Sequence, residues 1–301
     1  MEYISNITHK TDIKINQMIS WIGIPKSRYY YWKDNDTVPD KSKAVIPKRH
    51  WILSWEREAI IEYALKHIGE GYRRLTYMMM DENIVAVSPS TVYRVLKRAG
   101  LLNKWNEVKP SLKGTGFFQP TYFNEHWHVD IKYINHNGIF LFLITVIDGF
   151  TRYIVHHDLR LSMTERDVEI VIDKYSNAKP RIISDNGSQF ISKDFAGYLK
   201  LLGLKHVRTS IMYPQSNGKI ERFHRTITTE CIRKKSMLDL NDARNQVANY
   251  IEFYNTKRLH SALNYLTPED YVKGRKDEKL KERESKLIEA KKVRYEAANV
   301  S

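Results

Sequence analysis

Three acidic residues stand where carboxylates could act together on one substrate. Asp130 lies within alternating apolar residues, Asp185 lies in the turn-forming segment Ser184-Asp185-Asn186-Gly187, and Glu221 follows after 35 intervening residues. Hard divalent cations such as Mg²⁺ prefer oxygen ligands. Two such ions, about 3.5–4 Å apart, can activate an attacking oxygen and stabilise a leaving one. If the chain brings them together, the three acids predict a metal site for phosphoryl transfer.

Hydrophobic patterning predicts the elements that must position these acids. Five strands are predicted, at 126–134, 139–147, 152–158, 181–184 and 204–209. Helices are predicted at 164–175, 192–202, 216–235 and 241–254, with Ser216 and Asn241 as N-caps of the last two. Short turns between the first three strands favour an antiparallel meander, and the later strand–helix alternation favours parallel crossovers. The result is an α/β fold with a mixed five-stranded sheet flanked by helices, in which the first and fourth strands can be neighbours.

Helical patterns dominate the first hundred residues. Residues 12–33 predict two short helices, for which a helix-turn-helix and a plain helical hairpin both fit. Three further helices follow, and the last begins after the predicted N-cap Ser88. A recognition helix needs small polar residues to reach bases and basic residues to reach phosphates. The last helix supplies both kinds on its predicted outer face, which carries Ser90, Thr91, Tyr93, Arg94 and Lys97. DNA binding is therefore predicted, although a solvated amphipathic helix would have the same pattern.

The composition agrees with a nucleic-acid partner. The formal net charge is +14. It divides into +6 over residues 1–110 (18 basic, 12 acidic), +4 over 111–270 (21 and 17) and +4 over 271–301 (10 and 6). A polyanion that touches several parts of the chain would explain this spread.

The single cysteine, Cys231, excludes an internal disulfide and a cysteine-based zinc site. We find no signal-peptide pattern and no apolar run long enough to cross a bilayer. The sequence therefore predicts a cytoplasmic protein without a membrane partner.

The segment from Trp127 to Tyr271 resembles the catalytic core of retroviral-type integrases and bacterial insertion-sequence transposases, over about half of the chain. Several fragments carry the resemblance in order, and the spacing of 35 residues before the glutamate adds to it. The fragments are Trp127-His128-Val129-Asp130, Val146-Ile147-Asp148, Ser184-Asp185-Asn186-Gly187-Ser188-Gln189-Phe190, Pro214-Gln215-Ser216-Asn217-Gly218-Lys219-Ile220-Glu221-Arg222-Phe223-His224, Tyr254-Asn255-Thr256-Lys257-Arg258-Leu259-His260 and Thr267-Pro268-Glu269. Retroviral integrases also carry an N-terminal His-His-Cys-Cys zinc domain, which one cysteine cannot build, so the resemblance points to the bacterial transposases.

The resemblance implies a ribonuclease-H-like fold with an Asp-Asp-Glu metal site at Asp130, Asp185 and Glu221. Composition and periodicity, together with the resemblance, predict six segments: a helix-turn-helix-like segment at 1–33, a linker at 34–54, a helix-turn-helix DNA-binding domain at 55–102, a linker at 103–124, the catalytic core at 125–272, and a charged helix or disordered tail at 273–301. The expected cofactor is a pair of Mg²⁺ ions, with Mn²⁺ as the alternative. No nucleotide cofactor is expected, because the bonds broken and formed are of similar energy.

The expected partners are double-stranded DNA, comprising element ends and target, and further copies of the chain on that DNA. An upstream-encoded DNA-binding protein is a further candidate partner. Basic and small residues near the acids are expected to contact DNA phosphates or backbone: Lys132, Asn217, Lys219, Arg222 and Arg225. A solvated basic helix face is the alternative for each. Arg258 and His260 also follow the family pattern, and we expect them to pack rather than to catalyse.

Two other function classes are compatible with parts of the sequence. His126, His128 and Asp130 spell the His-x-His-x-Asp of metallo-β-lactamase-like zinc hydrolases, but that family has a histidine where Ile131 stands here. A non-enzymatic DNA-binding regulator would use only the N-terminal helices. Activity with Mg²⁺ or Mn²⁺ would separate the transposase from both.

Overall fold

The fold is built around one five-stranded mixed sheet. The computed structural model describes residues 11, 13–35, 51–102, 119–136, 138–173, 178–209 and 217–300. The strands are β1 His126–His136, β2 Ile139–Asp148, β3 Ile154–Arg160, β4 Arg181–Ser184 and β5 His206–Arg208, in the spatial order β3-β2-β1-β4-β5. β1 pairs antiparallel with β2, and β2 with β3, whereas β4 runs parallel to both β1 and β5. The predicted meander and parallel crossovers are confirmed.

Helices precede the sheet and flank it. They are α1 Ile15–Ile22, α2 Lys26–Asn35, α3 Ser54–Lys66, α4 Tyr72–Asp81, α5 Pro89–Arg98, α6 Glu165–Asp173, α7 Ser188–Ile191, α8 Lys193–Leu201, α9 Gly218–Ile227, α10 Leu240–Thr256, α11 Pro268–Val272 and α12 Lys276–Val300. A π-helical turn, Thr228–Ile232, extends α9, and a 3₁₀ turn covers Ser261–Leu263. Within the described residues, no helix is long and apolar enough to cross a membrane.

The two faces of the sheet bury different parts of the chain. On one face, Trp127, Val129 and Ile131 pack with apolar residues of α6 and α8. On the other, Leu143 and Ile147 pack with apolar residues of α9 and α10. Successive side chains of a strand point to opposite faces. Asp130 therefore lies on the face that α9 covers.

The ends of two core helices differ from the prediction. α9 begins at Gly218 after Asn217, and the predicted cap Ser216 lies outside the described residues. Asp239, rather than Asn241, caps α10, because the Asp239 carboxylate accepts the N–H of Asp242 at 2.8 Å. Aspartate and asparagine are equally good N-caps, so the choice depends on backbone geometry that the sequence does not reveal.

The chain divides into two compact units, and α1 and α2 belong to the first. Met18, Ile19 and Tyr29 form their small core, and Gly23 makes the turn between them at φ 74°. In the second unit, the Ser88 hydroxyl caps α5 as predicted, and Val92, Val95 and Leu96 form its buried face. Most of the two predicted linkers lies outside the described residues.

The charged tail does more than form a solvated helix. Arg283 of α12 is only 4% exposed. Its guanidinium makes paired hydrogen bonds with the Asp81 carboxylate at 2.7 and 2.6 Å and also donates to the carbonyls of Asn264 and Tyr265. It lies over the Tyr77 ring, 4.7 Å from the centroid. One buried arginine therefore joins α4 to the segment that follows the sheet, which composition alone could not predict.

We predict that Arg283→Met lowers the free energy of unfolding by about 2–3 kcal/mol. Removing one partner of a fully buried pair costs about 3–5 kcal/mol, and the 26% exposure of the Asp81 side chain reduces that cost. Urea unfolding measures the change. Lys281→Met is the matched control, because Lys281 is an exposed cation on the same helix. Equal stability of the two variants would contradict the role given to Arg283.

Candidate active site

The pairing of β1 with β4 brings two of the predicted acids together. The parallel register sets Val129 opposite Ser184. Asp130 and Asp185 are the next residues along these two segments, so their backbones lie side by side. Asp130 sits mid-strand and is half-buried, whereas Asp185 follows the end of β4. The fold therefore joins two carboxylates that are 55 positions apart in the chain.

The turn after β4 holds the Asp185 carboxylate in place. Its Oδ1 accepts the N–H of Gly187 at 2.9 Å. Asn186 donates its side-chain amide to the Thr209 carbonyl at 3.0 Å, which ties the turn to β5. A Cβ at Gly187 would lie 3.1 Å from Asp185 Oδ1, closer than ordinary packing allows. The predicted sharp turn is therefore also a close approach of backbone to carboxylate.

Burial, and the neighbouring Asp130 carboxylate, raise the pKa of Asp185, while the Gly187 N–H opposes the rise. Two carboxylates this close repel each other when both are ionised. A divalent cation would relieve that repulsion, and oxygen donors are the ligands that Mg²⁺ prefers. The donor set at Asp130 and Asp185 thus fits a hard divalent ion.

Glu221 does not join this pair directly. It is exposed on α9. His224, three residues later, brings its Nδ1 to 3.4 Å from Asp130 Oδ2. Residues three apart share a helix face, so Glu221 lies one turn from the aspartates. Across the described residues, no three His, Cys, Asp or Glu side chains stand close enough to hold one ion. The segment that leads into α9, residues 210–216, lies outside the description.

The predicted DNA-contacting side chains fall into two groups. Six are exposed on their helices: Ser90, Tyr93, Arg94, Lys97, Arg222 and Arg225. Lys132 is half-buried on β1. Thr91, at 6% exposure, and Asn217, at 4%, are buried instead. The burial of Thr91 leaves little of its side chain for a DNA contact, whereas the backbone approach expected at Asn217 does not depend on its side chain.

Lys219 also faces the protein. Its ammonium donates to the Gly149 carbonyl at 2.7 Å. Burial, and then the charge of Arg152, lower the pKa of Lys219 to about 7. The prediction of a phosphate contact for Lys219 is therefore weakened, since its hydrogen-bonding capacity is directed to the turn after β2. Asp148 fixes the same turn, because its carboxylate accepts the N–H groups of Phe150 and Thr151.

The zinc-hydrolase alternative finds no support at His128. Burial, and the charges of Lys219 and Arg152, lower the pKa of His128 to about 3. Those two cations would also repel a metal ion at this imidazole. The environment of His128 therefore argues against the His-x-His-x-Asp interpretation.

Sequence reasoning missed the contact of His224 with Asp130 and the role of Glu230. Arg258 forms a paired ion contact with Glu230 at 2.7 and 2.6 Å, and Tyr250 donates its hydroxyl to the same carboxylate at 2.8 Å. Arg258 therefore has a partner within the protein, and its packing or outer-shell role stays a prediction. Glu230 lies in the π-helical turn, and neither the turn nor this pairing has a local sequence signal.

Comparison with known proteins identifies the family. Two family models, both described as integrase core domain, match residues 121–214 and 202–268. The transposase for insertion sequence element IS904 of Lactococcus lactis is 31% identical over 241 residues, which cover 74% of this chain and 94% of that protein. The chain belongs to the insertion-sequence transposases. It is thus an enzyme of DNA transposition with an integrase core and a ribonuclease-H-like sheet.

The chain is also similar to a second insertion-sequence protein and to a solved viral integrase core. The putative transposase InsK for insertion sequence element IS150 of Escherichia coli K12 is 25% identical over 274 residues, covering 85% of this chain and 93% of that protein. Among solved structures, the HTLV-2 integrase catalytic core in complex with magnesium aligns with 50% of this chain and 97% of its own, at 18% identity and a TM-score of 0.39.

We predict that Asp185→Asn raises the melting temperature of the metal-free transposase. The neutral amide removes both the cost of burying a charge and the repulsion from Asp130. Because folding raises the pKa of Asp185, protonation stabilises the folded state. The wild type should therefore gain stability as the pH falls from neutral through that raised pKa towards about 4, the value of a free aspartate. Asp185→Asn should lack this pH-dependent gain in stability. Thermal melting of both proteins across that pH range measures the difference.

Asp185→Asn also tests whether Mg²⁺ binds at this site. Mg²⁺ at 100 times its dissociation constant should stabilise the wild type by about 2.7 kcal/mol, and Asp185→Asn by less. Asp194→Asn, at an exposed position of α8, is the control and should behave as wild type. If all three proteins responded alike to Mg²⁺ and to pH, the site would not be the one described.

Proposed function

We propose that this transposase cuts and joins DNA strands at a metal site formed by Asp130, Asp185 and Glu221. The observation that carries the proposal is the juxtaposition of Asp130 and Asp185 at the end of the pairing between β1 and β4. Burial first, and then the charge of Asp130, raise the pKa of Asp185. A cation between two carboxylates this close would remove their mutual repulsion. When bound, a pair of Mg²⁺ or Mn²⁺ ions lowers the pKa of water and stabilises charge on phosphate oxygens.

Glu221 supplies the third carboxylate in this proposal. It is exposed, it occupies the first turn of α9, and its helix is already in contact with Asp130 through His224. A long, exposed side chain can change rotamer at small cost. DNA phosphates in the site would complete the ligand shell, so the triad closes when substrate binds. Arg222 and Arg225, exposed on the same helix, are positioned to neutralise phosphates beside the cut.

The helical region at 55–102 supplies DNA recognition in this proposal, and 125–272 the chemistry. α5 exposes Ser90, Tyr93, Arg94 and Lys97 while burying its apolar face, as a helix lying in a major groove must. The segment 1–33 contributes a further helical pair whose partner is DNA or another protein chain.

The reaction proceeds in two steps on the same acids. In the first step, Asp130 and Asp185 would hold the metal ions beside the scissile phosphate. Water hydrolyses the phosphodiester at the element end and leaves a 3′-hydroxyl. The 3′-hydroxyl then occupies the position of the water and attacks a target phosphodiester. One phosphodiester replaces another, so no nucleotide cofactor is consumed. Because two element ends are cut together, we expect at least two copies of the chain to assemble on DNA. An upstream-encoded protein that assists end recognition is compatible with this scheme.

We expect Asp130→Asn, Asp185→Asn and Glu221→Gln each to reduce strand transfer by at least ~10³-fold, because each removes a negatively charged ligand needed to stabilise the transition state. Binding of labelled element ends should change less than about threefold, since most of the affinity for DNA comes from basic side chains that neutralise phosphates. Gel-based strand transfer with Mg²⁺ or Mn²⁺ measures the first quantity, and a mobility-shift assay the second.

Glu252→Gln, an exposed acid on α10, is the matched control for Glu221→Gln and should retain wild-type transfer. A wild-type chain that binds ends, yet shows no chemistry above that of Glu221→Gln, would be a DNA-binding regulator instead.

We expect Arg94→Gln in α5 to weaken binding to element ends. A lost base contact costs about 1–3 kcal/mol and relaxes sequence preference, whereas a lost phosphate contact weakens all sequences alike and lowers the salt slope by about 1. Titrations of end and scrambled DNA at several salt concentrations distinguish the two. Arg57→Gln, an exposed cation on α3, is the control. Wild-type binding by Arg94→Gln would remove α5 from the interface.

A further inference from the structure

His224 has an unusual environment for a residue of the helical core. It lies on α9, three residues after Glu221, and is 7% exposed. Its Nδ1 is 3.4 Å from Asp130 Oδ2. The other oxygen of that carboxylate, Oδ1, accepts the N–H of Ile131 at 2.9 Å. Both oxygens of Asp130 therefore face a nitrogen, one from its own strand and one from α9.

The chemistry of the two groups fixes the direction of this contact. An ionised carboxylate only accepts hydrogen bonds, so the His224 ring must carry its hydrogen on Nδ1 to interact favourably. Among the described residues, His224 Nε2 is buried and has no hydrogen-bond partner. An apolar side chain would fill this space without burying a ring nitrogen, and buried polar groups normally persist because a partner uses them. Among the described residues, the partner of the His224 ring is the Asp130 carboxylate, which lies at Nδ1.

The helix holds the ring where it is. Phe223 and Ile227, on either side of His224 in the chain, are buried against the sheet. The Thr228 hydroxyl donates to the His224 carbonyl at 2.5 Å, at the start of the π-helical turn. The imidazole is therefore presented to Asp130 by a fixed backbone rather than by a mobile loop.

We propose that His224 is a positioning residue, whose Nδ1–H orients the Asp130 carboxylate for a divalent cation. The proposal rests on the proposed function, since it concerns the same metal site. Outer partners that hydrogen-bond a ligating side chain fix its orientation, and their loss typically lowers metal affinity by about 10–100-fold. His224 also ties α9 to β1, so the same contact sets how far Glu221 stands from the two aspartates.

Three substitutions separate this role from simple packing. In His224→Asn the side-chain amide nitrogen lies near the position of Nδ1, in His224→Gln it lies near that of Nε2, and His224→Leu has no donor. The dissociation constant of Mn²⁺, followed by the paramagnetic resonance signal of the free ion, is measured on the full chain without DNA. Thermal melting identifies any variant that fails to fold.

We expect His224→Leu and His224→Gln to weaken Mn²⁺ binding by about 10–100-fold, and His224→Asn to stay within about threefold of wild type. Strand transfer by the Leu variant should recover at high Mn²⁺ concentration. A role in packing alone predicts the opposite pattern, with affinity unchanged in every variant that melts as wild type does. That result would overturn the proposal.

Asp185→Asn, measured in the same Mn²⁺ titration, separates the positioning role of His224 from the existence of the metal site. If the wild type binds Mn²⁺ and Asp185→Asn does not, the metal site stands, and the His224 variants decide the positioning role alone. If the wild type and Asp185→Asn bind Mn²⁺ equally weakly, the metal site itself is wrong, and the role of His224 falls with it.

Discussion

The repulsion between the carboxylates of Asp130 and Asp185 is the constraint on which the rest of this structure depends. Parallel pairing of β1 with β4 forces the two together, and burial removes much of the water that would screen them. A fold selected for stability alone would separate such charges or pair each with a cation. This one instead surrounds them with backbone N–H groups, from Ile131 and Gly187, which hold the carboxylates without neutralising them.

Helix α9, which carries Glu221 and His224, packs directly against the sheet. Ile220, Phe223 and Ile227 bury one face of the helix against the strands. At the same helix, Lys219 reaches the turn after β2 and His224 reaches Asp130. The helix is thus fixed at both ends of its first two turns. Glu221 remains exposed between these two anchors.

A second set of polar contacts joins α4 to the segment that follows the sheet. Arg283 binds Asp81 and two carbonyls, and the Tyr77 and Tyr265 rings stack at 4.8 Å beside it. Both Asn264 and Tyr265 adopt left-handed backbone conformations, with φ of 53° and 56°, which turn their carbonyls towards the arginine. The helices that we propose to bind DNA are therefore held to the catalytic core by buried charge, while the outer face of α5 stays exposed.

The sequence by itself determined the mixed sheet, the possible pairing of its first and fourth strands, and the family of the chain. Alternating and continuous apolar runs fix strands and faces, because the side-chain period of two leaves a single way to bury them. The motifs around Asp130, Asp185 and Glu221, with their spacing, were sufficient to predict the family. Helix ends such as that of α10 were less certain, since Asp239 and Asn241 are both capable caps.

Only the tertiary structure decided which polar groups meet. His224 with Asp130, Arg258 with Glu230, and Arg283 with Asp81 join residues 28 to 202 positions apart. No local pattern encodes such pairs, because their energy depends on distances and burial that exist only in the folded chain. For the same reason the inward orientation of Lys219 was not predicted. Its charge and position suggested a phosphate contact, but in the fold its ammonium donates to the Gly149 carbonyl.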